Sequence, residues 1–138
     1  MQTRKRIVSI LVAIAIIALL LSLHMYQGRS KKADVISRWQ GTLDYSSVDG
    51  IQGKSTTMVI DVREADHHLI ASMSTPDEGP AVVPVDAVEF TNDVLTMTVK
   101  KRLAIITARL YSDGRELNGN FKQTPYNLPM ALKKVPGS

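Results

Sequence analysis

The sequence predicts an all-β protein, a small antiparallel up-and-down barrel or sandwich of about seven to eight strands, preceded by one N-terminal transmembrane helix. Three observations carry this expectation. An uncharged run, IVSILVAIAIIALLLSL from Ile7 to Leu23, follows Arg4, Lys5 and Arg6. From Val35 onward, apolar residues recur at every second position, the period of a strand with one covered face. Turn-forming residues break that alternation about every 8 to 12 residues, the spacing of a sandwich or barrel.

The apolar run falls just short of the roughly 20 residues that span a bilayer as a helix, and Met25 and Tyr26 extend it. A signal peptide has an apolar core of about 7 to 15 residues and small residues at its cleavage site. Here Leu23, His24, Met25 and Tyr26 follow the run, and the first small pair, Gly28 and Ser30, lies well beyond it. The segment therefore reads as an uncleaved anchor in preference to a signal peptide. No cysteine follows it, which excludes bacterial lipid attachment. Arg4, Lys5, Arg6 and the α-amino group slightly outweigh Arg29, Lys31 and Lys32, and the first positive cluster stays in the cytoplasm. The expected location is the bacterial inner (cell) membrane, single-pass, with the C-terminal domain in the periplasm or outside the cell. The expected organisation is a membrane anchor or signal peptide over 1–26, a polar spacer over 27–34 and an extracytoplasmic β domain over 35–135.

The formal charge of +4 does not indicate a nucleic-acid partner. Six of the 17 Lys and Arg residues precede Ala33 and all 13 acids follow it, so the remainder of the chain carries 11 bases against 13 acids. The basic balance comes from the membrane segment and its flanks, which argues against a DNA- or RNA-binding face.

Along the chain, Trp39, Gly41, Leu43 and Tyr45 share one face of a predicted strand. Met58, Ile60 and Val62 make a second, and Leu69, Ala71 and Met73 a third. Leu95, Met97 and Val99 make another, as do Leu117, Gly119 and Phe121, and Leu128, Met130 and Leu132 end the series. Leu103–Tyr111 has apolar residues on both faces. It follows the polar turn Lys100, Lys101, Arg102 and precedes Ser112, Asp113 and Gly114, a hairpin signal, so it reads as a strand packed on both faces. Further turns are expected at Asp49–Lys54, Glu64–His67, Asn92–Asp93 and Thr124–Pro125.

The segment TPDEGPAVVPVD, Thr75 to Asp86, reads as a corner of the fold. Proline presets φ, glycine accepts positive φ, and Val82, Val83 and Val85 return to the core as an irregular edge where Pro84 is tolerated. Its functional alternative is a lip over a ligand or partner site, formed by Pro76, Asp77, Glu78, Gly79 and Pro84. Trp39 is expected as a core anchor.

No catalytic, cofactor or metal residue is predicted. GIQGKST at Gly50–Thr56 has its glycines too close together for a phosphate-binding loop and precedes a strand instead of a helix. Asp66, His67 and His68 suit a solvated turn, since adjacent strand side chains diverge and chelate poorly. Ser46, Ser47, Ser55, Ser72 and Ser74 lack a context that supplies a base or an oxyanion hole. Asp61 and Asp86 are single acids at outward positions, and Lys100, Lys101 and Arg102 suit a solvated tip.

WQGTLD at Trp39–Asp44, STPDEGPAVVPVDAVEF at Ser74–Phe90 and GNFKQTPYNLPMALKK at Gly119–Lys134 together resemble the small lipocalin-like β domain that precedes the catalytic domain of bacterial secreted α/β hydrolases of the serine aminopeptidase type. The family pattern is W-x-G-x-L, then S-P-D-Q-G with I-P-V, then G-x-F-x-Q and L-P-L. This chain departs from it at Thr75, inserted in the serine-proline step, and at Glu78, Val83 and Met130. The resemblance implies that β domain without the hydrolase. The chain contains no G-x-S-x-G nucleophile elbow, so the family's catalysis is not carried over.

The function expected is a non-enzymatic, membrane-tethered interaction domain, accessory to an envelope protein or hydrolase. Its partners would be the membrane, through the N-terminal helix, and an envelope protein. The alternative is a calycin-like binder of a lipid or small apolar molecule, motivated by Met58, Met73, Met97 and Met130 at inward positions.

Overall fold

The structure is a computed structural model that describes residues 2–49 and 54–137. The chain divides into two units, 1–33 and 34–138. Helix α1 spans Gln2–Val35, and Thr3–Leu23 within it is long and apolar enough to cross a membrane. Two hydroxyls in that stretch bond back one turn, Ser9 Oγ to the Lys5 carbonyl at 3.0 Å and Ser22 Oγ to the Ala18 carbonyl at 2.9 Å. Such back-bonding gives each of these two hydroxyls a partner within the helix. The backbone stays helical through 27–34, the segment expected as a spacer. Its Arg, Lys and Ala residues are good helix formers, and no proline interrupts them.

The second unit is mostly β. Among the described residues, nine antiparallel strands, β1 (Arg38–Asp44), β2 (Ser55–Ala65), β3 (His68–Ser74), β4 (Val82–Pro84), β5 (Ala87–Thr91), β6 (Val94–Val99), β7 (Ala104–Leu110), β8 (Glu116–Gln123) and β9 (Tyr126–Lys134), form one sheet. Their order is β4-β3-β2-β1-β9-β8-β7-β6-β5. A flat sheet of nine strands would be about 38 Å wide. Yet its two outermost strands are consecutive in the chain, with only Val85 and Asp86 between them, a reach of about 10 Å. The Val85 amide bonds to the Ala71 carbonyl of β3 at 3.0 Å, and the Asp86 amide to the Thr98 carbonyl of β6 at 2.8 Å. The sheet is therefore curled into a half-barrel, and the run 82–91 passes its hydrogen bonds from one edge to the other.

The strand count exceeds the expected seven to eight because this run forms two elements; Ala87–Thr91 escaped the sequence reading. Val82, expected in the core, is 65% exposed, because Val83 takes the inward position and period two turns Val82 out. Leu103–Tyr111 is covered on one face only. Ala104, Ile106, Ala108 and Leu110 point inward and alternate with exposed Ile105, Thr107 and Arg109, since a single curled sheet has one interior.

Two-residue hairpins close β2–β3 and β5–β6. Asp66 and His67, and likewise Asn92 and Asp93, all have positive φ, the backbone of a type I′ turn whose twist matches the strands. The inner face is a continuous apolar core. Trp39 is fully buried in it, and its Nε1 donates to the Val35 carbonyl at 2.9 Å. Lys134 Nζ lies 5.4 Å from the ring centroid, within cation–π range.

Curling demands close backbone approach at two points. A Cβ built on Gly41 would overlap the Ala131 carbonyl, and one on Gly119 the Thr107 carbonyl. Glycine within a strand marks such a bend. Gly41→Ala should cost about 2 kcal/mol or more, as overpacking against backbone does. Equal urea midpoints for variant and wild type would contradict this.

Candidate functional site

The inner-face pattern of β1 and β2 brings Tyr45 and Thr56 to one end of the sheet. The turn after β3 covers them. It is a β-turn from Thr75 to Glu78, closed by the Glu78 amide bonding to the Thr75 carbonyl at 2.9 Å. Gly79 then takes φ +150°, a conformation that favours glycine.

Six side chains take part in fastening this turn. The Asp77 carboxylate accepts the Thr57 amide at 2.7 Å. Glu78 accepts the Tyr45 hydroxyl through Oε1 at 3.1 Å and the Thr75 hydroxyl through Oε2 at 2.8 Å. Arg102 donates to Thr75 Oγ1 at 3.2 Å and pairs with Glu78 Oε2 at 3.5 Å. Gln123 Nε2 in turn holds the Arg102 carbonyl at 2.6 Å. The cluster thus unites Thr57 of β2, Gln123 of β8, Tyr45 just past β1, the turn after β3 and Arg102 of the turn between β6 and β7.

Beside it opens a cavity of about 300 Å³ lined by Tyr45, Lys54, Ser55, Thr56, Asp77 and Glu78. Thr56 is only 5% exposed, and its Oγ1 has no hydrogen-bond partner among the described residues. The Thr57 amide holds Asp77 below the usual carboxylate range. Burial raises the Tyr45 phenol, and the neighbouring Glu78 carboxylate adds to the effect.

Of the residues expected in a lip, Asp77 and Glu78 line the cavity, while Pro76 and Gly79 belong to the same surface segment. Pro84 does not join them. It lies in β4 opposite Ser72, where an edge strand tolerates a missing amide proton. Tyr45, Thr56, Thr75, Arg102 and Gln123 were not anticipated as site residues. Their convergence depends on long-range pairing that local pattern does not encode.

The other singled-out residues have structural placements. Asp86 accepts the Lys100 amide at 2.7 Å, and Asp61 pairs with Arg63 at 2.9 Å, which holds its carboxyl below the usual range. His67 occupies a hairpin and His68 begins β3, both exposed. Ser55 and Thr56 lie on β2, while Gly50 and Gly53 of the same motif lie outside the described residues. Among the described residues, no group of three or more His, Asp or Glu is placed to hold a metal ion.

No protein-family model, curated protein or solved structure matches the chain.

Two variants probe the site. Thr56→Val removes an unpartnered buried hydroxyl at near-constant volume, so it should stabilise the free protein by about 1 kcal/mol in urea titration; destabilisation would mean the hydroxyl is satisfied. Asp77 has a lowered folded pKa, so its contribution is complete above the unfolded value of about 3.9 and is lost as pH falls through the folded value. Asp77→Asn should therefore flatten the fall of melting temperature below about pH 4. An unchanged acid limb would remove Asp77 from the account.

Proposed function

We propose that the chain is a membrane-tethered, non-enzymatic interaction domain of the bacterial cell envelope. In this reading α1 anchors it in the inner membrane, and the β domain lies in the periplasm or outside the cell. One observation carries the proposal: a helix able to cross a membrane leads into a β domain whose inner face is filled by its own side chains. Met58, Met73, Met97 and Met130 are buried in that core, which supports packing as their role in preference to an adaptable lipid pocket. The Thr75–Gly79 turn is the segment offered to a partner, and the likeness to the hydrolase-associated β domain makes a separate envelope hydrolase one class of partner.

The unpartnered Thr56 hydroxyl supports a second reading, in which a small polar molecule occupies the cavity beside Tyr45 and Asp77. That ligand would be bound at the mouth of the sheet, outside the apolar core.

The full chain, solubilised in detergent from its native membranes, should retain a protein partner in stoichiometric amount, and Asp77→Arg should release it. Capture of a small molecule with no protein would favour the second reading. The chain has no cysteine, so Glu89→Cys gives a unique thiol. Membrane-impermeant maleimide should label it in spheroplasts before lysis; labelling only after lysis would reverse the orientation.

A further inference from the structure

Charge is unevenly divided along the β domain. Residues 34–93 carry eleven acidic and three basic side chains, and residues 94–138 carry two acidic and eight basic, a balance of −8 against +6. In the sheet β4-β3-β2-β1 and β9-β8-β7-β6 are contiguous walls that meet along β1 and β9, while β5, which carries Glu89 of the acidic stretch, is bonded to β6 at the outer edge of the basic wall. On β6 to β9 the sole acid is Glu116, directly opposite Lys133. Arg109, Lys122, Lys100 and Lys101 are exposed.

The 3₁₀ turn between β6 and β7, Lys100–Arg102, projects an apolar residue from this basic half. Leu103 has φ 51° and ψ 42°, a left-handed conformation unfavourable for a residue with a Cβ, and is 83% exposed. Ile105 follows on the outer face, 48% exposed and directly opposite Lys122, and Tyr126 at the same end of the sheet is 45% exposed. The acids at this tip are engaged: Asp86 with the Lys100 amide, Glu78 with Arg102, Thr75 and Tyr45.

We infer that the Lys100–Leu103 tip and the adjoining outer face of β7 and β8 dock on the anionic bilayer in which the chain is anchored, with Leu103 entering the interface between lysines. Anionic headgroups complement the cations, and the acyl boundary accepts apolar groups alongside Tyr and Lys. Phosphate polymers satisfy the charges but offer Leu103 and Ile105 no apolar phase. The tether also raises the effective concentration of this weak surface at its own membrane.

The inference rests on the anchoring proposed above, and one experiment separates the two. The full chain carrying Leu103→Cys, labelled with an environment-sensitive fluorophore, is placed in single-bilayer discs of phosphatidylcholine alone or with phosphatidylglycerol. Failure to associate with neutral discs would defeat the anchor reading. With the chain in discs, the label should shift to the blue and be quenched by lipid-borne spin labels only where phosphatidylglycerol is present. Both effects should disappear in high salt and in Lys100→Glu/Lys101→Glu/Lys122→Glu, checked for folding by its melting curve. A label at Glu89→Cys, exposed on β5 at the outer edge of the sheet beyond β6, should stay aqueous throughout. Identical emission at position 103 in both lipids, or a response that survives charge reversal, would overturn the inference.

Discussion

Strand β1 is bonded on both sides, to β2 from Arg38 to Asp44 and to β9 from Trp39 to Leu43. Without the second ladder, β1–β4 and β5–β9 would be two meanders meeting only at the kinked run 82–91. Trp39 occupies the inner face of this shared strand, and its indole proton is satisfied by the Val35 carbonyl. Burial of the ring therefore carries no unpaired polar group into the core. The curl needed to bring β4 and β5 together depends on the same region, where Gly41 lets β1 approach the β9 backbone at Ala131. Core, closure and mouth all follow from that seam.

The mouth is held by polar bonds, unlike the interior. Thr75 is buried, and its hydroxyl stands between Glu78 and Arg102, so the turn is locked by a chain of partners from distant strands. A rigid turn beside a cavity presents its exposed groups without a further ordering cost on binding. The two surfaces differ in kind, a mouth of paired charges and a tip whose Lys100 and Lys101 are exposed, and Arg102 joins them.

Much of the fold was legible because period two survives wherever one face is covered. Met58, Ile60 and Val62, or Leu128, Met130 and Leu132, announce their strands without help. The pattern misled where its assumptions changed. Leu103–Tyr111 looked apolar on both faces because Leu103 and Ile105 are apolar residues left outside. Ala87–Thr91 was hidden because it continues from β4 across two residues instead of a turn. The candidate site was less legible still. Thr75 stood out only as an insertion against a family pattern, and nothing local to it signals Arg102, 27 residues away. The division of charge was readable in the sequence, but its meaning required knowing that residues 94–134 form one contiguous wall.

The pairing of Trp39 with Lys134 spans nearly the whole β domain. Synthesised from its N-terminus, the domain can complete β2 and β3 early, yet β1 keeps one edge bare until its last strand has emerged. Loop-closure entropy must be met before that ladder contributes, so this topology favours slow folding. During the interval the bare edge of β1 is a template for another chain. Mesh-like crowding by identical nascent chains would be hazardous there, and holding each copy apart on its own helix would lengthen the time a lone chain has to find its own ninth strand.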